Sequence, residues 1–205
     1  MSNGKFIVFE GIDGAGKSTQ VALLTKRLEA LGHDVHLTAE PTALPSGKAI
    51  REALSGSVKK SECEMAAMFT LDRIAHNKEE LVPLTDEGKT VICDRYYYSS
   101  LAYQGQATDY SWVKTMNLTC PEIKRPDLCI YLDLLPEQSL ARIRARNEAI
   151  EIYENIEKLT NVRNTFLSII DDLKKDGEKI FAVNADGSPE EIADKIFEIV
   201  KAELL

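Results

Sequence analysis

The eight residues Gly11-Ile12-Asp13-Gly14-Ala15-Gly16-Lys17-Ser18 satisfy the spacing G-x-x-x-x-G-K-[ST] at every fixed position. The spacing has a mechanism. Glycines let the chain turn so tightly that backbone N–H groups converge on phosphate oxygens, beside the positive end of the helix that follows. Lys17 would reach the outer phosphates and the Ser18 hydroxyl would bind magnesium. The segment Lys5–Glu10 before the loop reads as a buried strand and Ser18–Leu31 after it as a helix, which is the context the pattern requires.

A second chemical cluster is Asp94-Arg95-Tyr96, which closes the apolar run Val91-Ile92-Cys93 and leads into Tyr97–Gly105. A carboxylate at the end of a short strand can hold magnesium through water or accept a hydrogen bond from a reacting group, so Asp94 is a candidate metal and catalytic residue. Arg95 offers a planar fork of donors that fits a phosphate in two-point contact.

These residues need a scaffold that brings them to one edge. Apolar runs at Phe6–Glu10, Val35–Thr38, Val91–Asp94, Leu128–Asp133 and Lys179–Val183 predict five strands. They alternate with helical periodicity starting near Ser18, Ser46, Ser61, Pro136 and Ile156, so the expected class is α/β, a parallel sheet with helices on both faces. Gly32 and Gly177 are placed to stop helices, and Ser188-Pro189-Glu190-Glu191 is a capping box that starts the last one. The segments Glu40–Gly47, Gly105–Ser111 and Asn147–Glu154 are expected as substrate loops and a lid. In open sheets of this kind, ligands collect at the carboxyl ends of the strands.

Chain-wide properties narrow the partners. At 205 residues the chain suits one domain spanning 1–205. A net charge of −8 gives no global attraction to nucleic acid or to an anionic membrane, so any bound phosphate must be held by local cations and backbone dipoles. Cys63, Cys93, Cys120 and Cys129 lack metal-ligand spacing and are expected as reduced, buried thiols. His33, His36 and His76 also lack ligand spacing. With no apolar run of membrane-spanning length and no signal-peptide pattern, the expected compartment is cytoplasm.

Taken together, the residues from Phe9 to Thr19, Glu40-Pro41, Phe69 to Arg73, Asp94-Arg95-Tyr96, Ser99 to Gly105, Pro126-Asp127 and Leu132-Asp133 resemble the thymidylate kinase family. The resemblance implies a three-layer P-loop NTPase fold with a five-stranded parallel sheet, a lid at about residues 142–154, and a homodimer. It also implies transfer of a phosphoryl group from ATP to dTMP with Mg²⁺, for dTTP synthesis. ATP would lie along Gly11, Ile12, Asp13, Gly14, Ala15, Gly16, Lys17, Ser18 and Thr19, with Asn184 near the adenine. Asp13 matches the carboxylate that contacts the acceptor sugar 3′-hydroxyl, Phe69 the ring that stacks on thymine, and Arg73 the contact to the base edge. Tyr103 matches the residue that crowds the sugar 2′ position, while Glu40, Pro41, Ser99 and Gln104 match further acceptor-site positions.

Two departures bear on catalysis. Gly14 stands where some family members carry a P-loop arginine, which assigns the role to the lid, and there Ile152 stands where an arginine is expected. The catalytic cation would then be Arg142 or Arg146, with Arg144 between them. Ala39 replaces the arginine common before Glu-Pro, and Arg51 is the candidate substitute at the acceptor phosphate. A kinase for a deoxynucleoside is the nearest alternative, distinguished by its need for a base at an uncharged hydroxyl. A GTP-binding switch is disfavoured because the stretch nearest to a guanine-reading N-K-x-D run, Asn77-Lys78-Glu79-Glu80, ends in glutamate and lies in a helical pattern.

Overall fold

The computed structural model describes residues 4–145 and 152–205. Five strands, β1 (Phe6–Glu10), β2 (Val35–Ala39), β3 (Thr90–Asp94), β4 (Leu128–Asp133) and β5 (Ile180–Asn184), form one sheet in the order β2-β3-β1-β4-β5. Every adjacent pair is parallel. β1 is central and buried along its whole length, with Val8 paired to Cys93 on one side and Cys129 on the other. That two-sided burial is why Phe6-Ile7-Val8-Phe9 is an unbroken apolar run and not an alternating one.

The helices are α1 (Lys17–Ala30), α2 (Pro45–Leu54), α3 (Glu62–His76), α4 (Val82–Asp86), α5 (Tyr97–Ala107), α6 (Tyr110–Leu118), α7 (Pro136–Ala145), α8 (Ile152–Lys175) and α9 (Pro189–Leu204), with a π-helical turn at Asn77–Leu81 between α3 and α4. α1 packs beside α9 against the sheet, while α5 sits among α3, α6 and α8. The stripes Val21, Leu24 and Leu28 on α1 and Ile192, Ile196 and Val200 on α9 supply buried faces at helical spacing.

Local signals placed most of these elements. Ser61 and Ser188 form complete capping boxes with Glu64 and Glu191, and Gly32 and Gly177 adopt positive φ and donate back to the preceding turn. Two expectations need correction. Gly105–Ser111 is not a loop: its two ends belong to α5 and α6, neither of which was foreseen. Nor are all four thiols buried, since Cys63 is exposed at the start of α3 and Cys120 is half-buried.

Candidate active site

The carboxyl end of β1 is the junction of the site. The glycine loop leaves it, and Gly16, left-handed at φ 95°, passes the chain into α1 with no side chain capping the helix. The first-turn N–H groups of α1 are therefore free of any side-chain cap, and no acidic residue occupies that turn. Lys17 curls over the loop, donating through Nζ to the carbonyls of Gly11 (3.0 Å) and Ile12 (3.4 Å). Burial lowers its ammonium pKa, Arg95 adds to the effect, and Asp94, Asp13 and Glu10 oppose it. Ser18 and Thr19 are exposed, whereas the Ile12 and Ala15 side chains are buried. A polar cleft of about 340 Å³ is bounded by Asp13, Gly14, Gly16, Lys17, Ser18, Asp94 and Arg95 on this side.

Asp94 ends β3 beside that cleft. One of its carboxylate oxygens, Oδ1, is buried without a hydrogen-bond partner, and burial raises its pKa against the pull of Lys17 and Arg95. Arg95 is left-handed at φ 72°, a conformation costing a non-glycine residue about 1–2 kcal/mol. The fold holds it there: its N–H donates to Phe9 O (2.9 Å) and the Cys93 thiol donates to its carbonyl (3.0 Å). Its guanidinium pairs with Asp13 (2.5 Å), bonds Ser99 Oγ (3.0 Å) and lies over the Tyr103 ring. Asp94 and Arg95 thus do not form an ion pair with each other. Burial alone would lower the Arg95 pKa, but the charges of Tyr103, Asp13, Glu10 and Asp94 more than offset it and leave it raised.

On the other side of Arg95 lies a second cavity of about 290 Å³, lined by Asp13, Glu40, Pro41, Leu54, Phe69, Arg73, Arg95, Tyr96, Ser99, Ser100, Tyr103 and Gln104. Phe69 is half-buried and faces this space, four residues and one helical turn from Arg73. Arg73 is 1% exposed and fixed on several sides, by Glu40 (2.5 Å), Asn117 (2.5 Å) and Ser100 (3.2 Å), and it stacks over Tyr96. Its Nε is buried without a partner. The loop before α2 is pinned by Asp72, which accepts from Thr42 N, Thr42 Oγ1 and Ser46 Oγ. The pinning depends on Gly47, because a Cβ there would lie 2.0 Å from Thr42 O.

The two cavities meet at Asp13, Glu40 and Arg95. A sequence model of the family described as thymidylate kinase matches residues 9–196. The chain is 42% identical over 209 aligned positions, 98% of each protein, to a probable thymidylate kinase of Pyrococcus horikoshii. It is 38% identical over 184 positions, 87% of this chain and 90% of the relative, to a thymidylate kinase of Leptospira interrogans. The chain belongs to the thymidylate kinase family.

Against the family's pattern, the remaining candidates sort clearly. Arg142, near the end of α7, donates to Ala185 O (2.8 Å) and reaches Ala15 O (3.5 Å), joining the glycine loop to the segment after β5. Arg144 is exposed, and Arg146 together with 147–151 of the lid expected at 142–154 lies outside the described residues. Asn184 ends β5 and accepts from Asp186 N. Arg51 lines neither cavity, its guanidinium resting on Pro41 O (2.8 Å). The space beside Gly14 is filled by α7: a Cβ at position 14 would meet Ser139 O at 2.8 Å and Ile143 at 3.0 Å, and Ser139 Oγ donates to Asp13 O.

Sequence reasoning missed Glu10, Ser100 and Asn117. Glu10 is 1% exposed and receives Tyr96 N (2.8 Å), Ser99 N (3.1 Å) and Ser99 Oγ (2.7 Å), so it caps α5 from the end of β1. Burial raises its carboxyl pKa, with Arg95 and the Ser99 bond opposing. Its signal was available: an acidic residue ending an otherwise apolar buried strand must find donors.

Proposed function

We infer that the protein is a thymidylate kinase, transferring the γ-phosphoryl group of ATP to dTMP to give dTDP and ADP in dTTP synthesis. The observation that carries this reading is the junction of an anion-receiving cleft with an aromatic-lined cavity at one arginine, Arg95. In the proposed complex an oxygen of the dTMP phosphate attacks the γ-phosphorus while the bond to the β–γ bridging oxygen breaks and ADP departs. The attacking group is already an anion, so no strong general base is required and the work is positioning and charge stabilisation.

Lys17 would exchange its two carbonyl partners for phosphate oxygens. Arg95 would serve donor and acceptor phosphates together, and Asp13 would take the sugar 3′-hydroxyl. Phe69 would stack on the base, Arg73 would meet the base edge, and Tyr103 would exclude a 2′-hydroxyl. Mg²⁺ fits the donor set, since the exposed Ser18 hydroxyl and the unpartnered Asp94 oxygen border the same cleft. Such an ion would neutralise phosphate charge as it spreads during transfer. Among the described residues there is no cluster of three or more His, Cys, Asp or Glu that could hold a metal by itself.

One kinase domain closed by the lid, a homodimer, and a cytoplasmic location belong to the same proposal. No described helix is long and apolar enough to cross a membrane. A coupled assay with dTMP, thymidine, dCMP and UMP tests the reading: dTMP should be the preferred acceptor, and Arg95→Ala should lower turnover about 10²–10³-fold. Absence of dTDP from wild-type protein supplied with ATP, dTMP and Mg²⁺ would refute it.

A further inference from the structure

Behind the acceptor cavity runs a buried polar chain to which no role has been assigned. Arg73 bonds Oε2 of Glu40 at 2.5 Å, and Oε1 of the same carboxylate meets Nδ1 of His76 at 3.0 Å. His76 is wholly buried and lies three residues after Arg73 on the same face of α3. Its other nitrogen, Nε2, sits 2.8 Å from Thr38 Oγ1 on β2 and 3.4 Å from Oε2 of Glu80, whose Oε1 meets His36 at 2.5 Å near the surface. His76 is not among the residues lining either side of the site.

The chemistry fixes the direction of these bonds. A carboxylate oxygen accepts, so in this bond His76 donates Nδ1–H to Glu40. Thr38 and Glu80 then hold the ring from behind. Glu40 is itself buried, with Arg73 on one oxygen and His76 on the other. Without His76, its free oxygen would be a desolvated acceptor and the carboxylate would rotate to recover a donor. The Arg73 guanidinium, aimed by Glu40, would move with it.

We propose that His76 is a positioning residue for acceptor recognition, orienting through Glu40 the Arg73 side chain that lines the cavity proposed for the base of the bound nucleotide. The proposal rests on the reading of dTMP as acceptor. It assigns to His76 an effect on acceptor affinity separate from any effect on phosphoryl transfer.

The amide nitrogen of asparagine can stand in for Nδ1 of histidine, whereas that of glutamine stands in for Nε2. His76→Leu and His76→Gln should therefore raise the KM for dTMP about tenfold, the cost of one charge-assisted hydrogen bond. The KM for ATP and kcat should stay within about twofold, and His76→Asn should recover most of the dTMP affinity. Thr38→Val, which removes a partner of Nε2 from a half-buried strand position tolerant of valine, should raise the dTMP KM by a smaller factor, about two- to threefold. An unchanged dTMP KM in His76→Leu, an equal rise in both KM values, or equal rescue by Asn and Gln overturns the proposal. Should the position-76 variants fail to fold, an unchanged dTMP KM in Thr38→Val overturns it. Failure of wild-type protein to phosphorylate dTMP removes the functional reading as well, whereas normal dTMP turnover with insensitive variants removes this inference alone.

Discussion

The two cavities that meet at Arg95 hold their cations in opposite ways. In the phosphate cleft, Lys17 rests on the carbonyls of Gly11 and Ile12, and outside its lining Arg142 rests on those of Ala185 and Ala15, neutral partners that an incoming polyphosphate can outbid. In the acceptor cavity, Arg73 is already engaged by a carboxylate, an amide and a hydroxyl, all buried. In the proposed complex the donor side would rearrange on binding and the acceptor side would stay as it is, with rigidity at the flat base and adaptability at the moving phosphoryl group.

This contrast can be broken most forcefully at Glu40. Replacing it by Gln leaves the Arg73 charge buried without a counter-ion, which should destabilise the fold by about 3–5 kcal/mol. For a chain of this size that is a fall of roughly 6–20 °C in Tm, readable by calorimetry. No comparable loss is expected from Lys17→Met, because its partners are neutral carbonyls. That variant should instead lose about 10²–10³-fold in kcat, with the dTMP KM little changed in steady-state kinetics. If Lys17→Met melted like Glu40→Gln, the division between a displaceable and a locked cation would be lost.

The smallest of the three effects belongs to Phe69. Base–aromatic stacking is worth about 1–3 kcal/mol on alanine substitution, so Phe69→Ala should raise the dTMP KM roughly 5- to 150-fold. Calorimetric titration should show ATP affinity preserved. A collapse in stability without a change in KM would instead place the ring in the core, against its half-buried position beside the cavity.

The same division explains what could be read from the chain. The phosphate loop was legible because all its parts lie within eight consecutive residues flanked by a strand and a helix. The inner strands were legible as apolar runs and β2 and β5 as short segments between helical patterns, and α3 and α9 because Ser61–Glu64 and Ser188–Glu191 cap them locally. α5 was not, because its cap is Glu10, 86 residues before Tyr96, and its Tyr-Tyr-Ser-Ser start has weak helix propensity. α6 had a local signal in Asp109, which accepts from Trp112 N at 2.7 Å. In the acceptor cavity, Phe69, Arg73 and Tyr103 were legible only through family resemblance. Ser100, Asn117 and His76 serve through partners 27 to 44 residues away, and no local spacing encodes such pairs.

The packing of α7 onto Gly14 leaves no room for a side chain at that position of the glycine loop. A guanidinium grafted onto the loop would have to occupy the volume already taken by Ser139 and Ile143. Introducing an arginine at position 14 is therefore not a single exchange of residues, because α7 would first have to be re-seated.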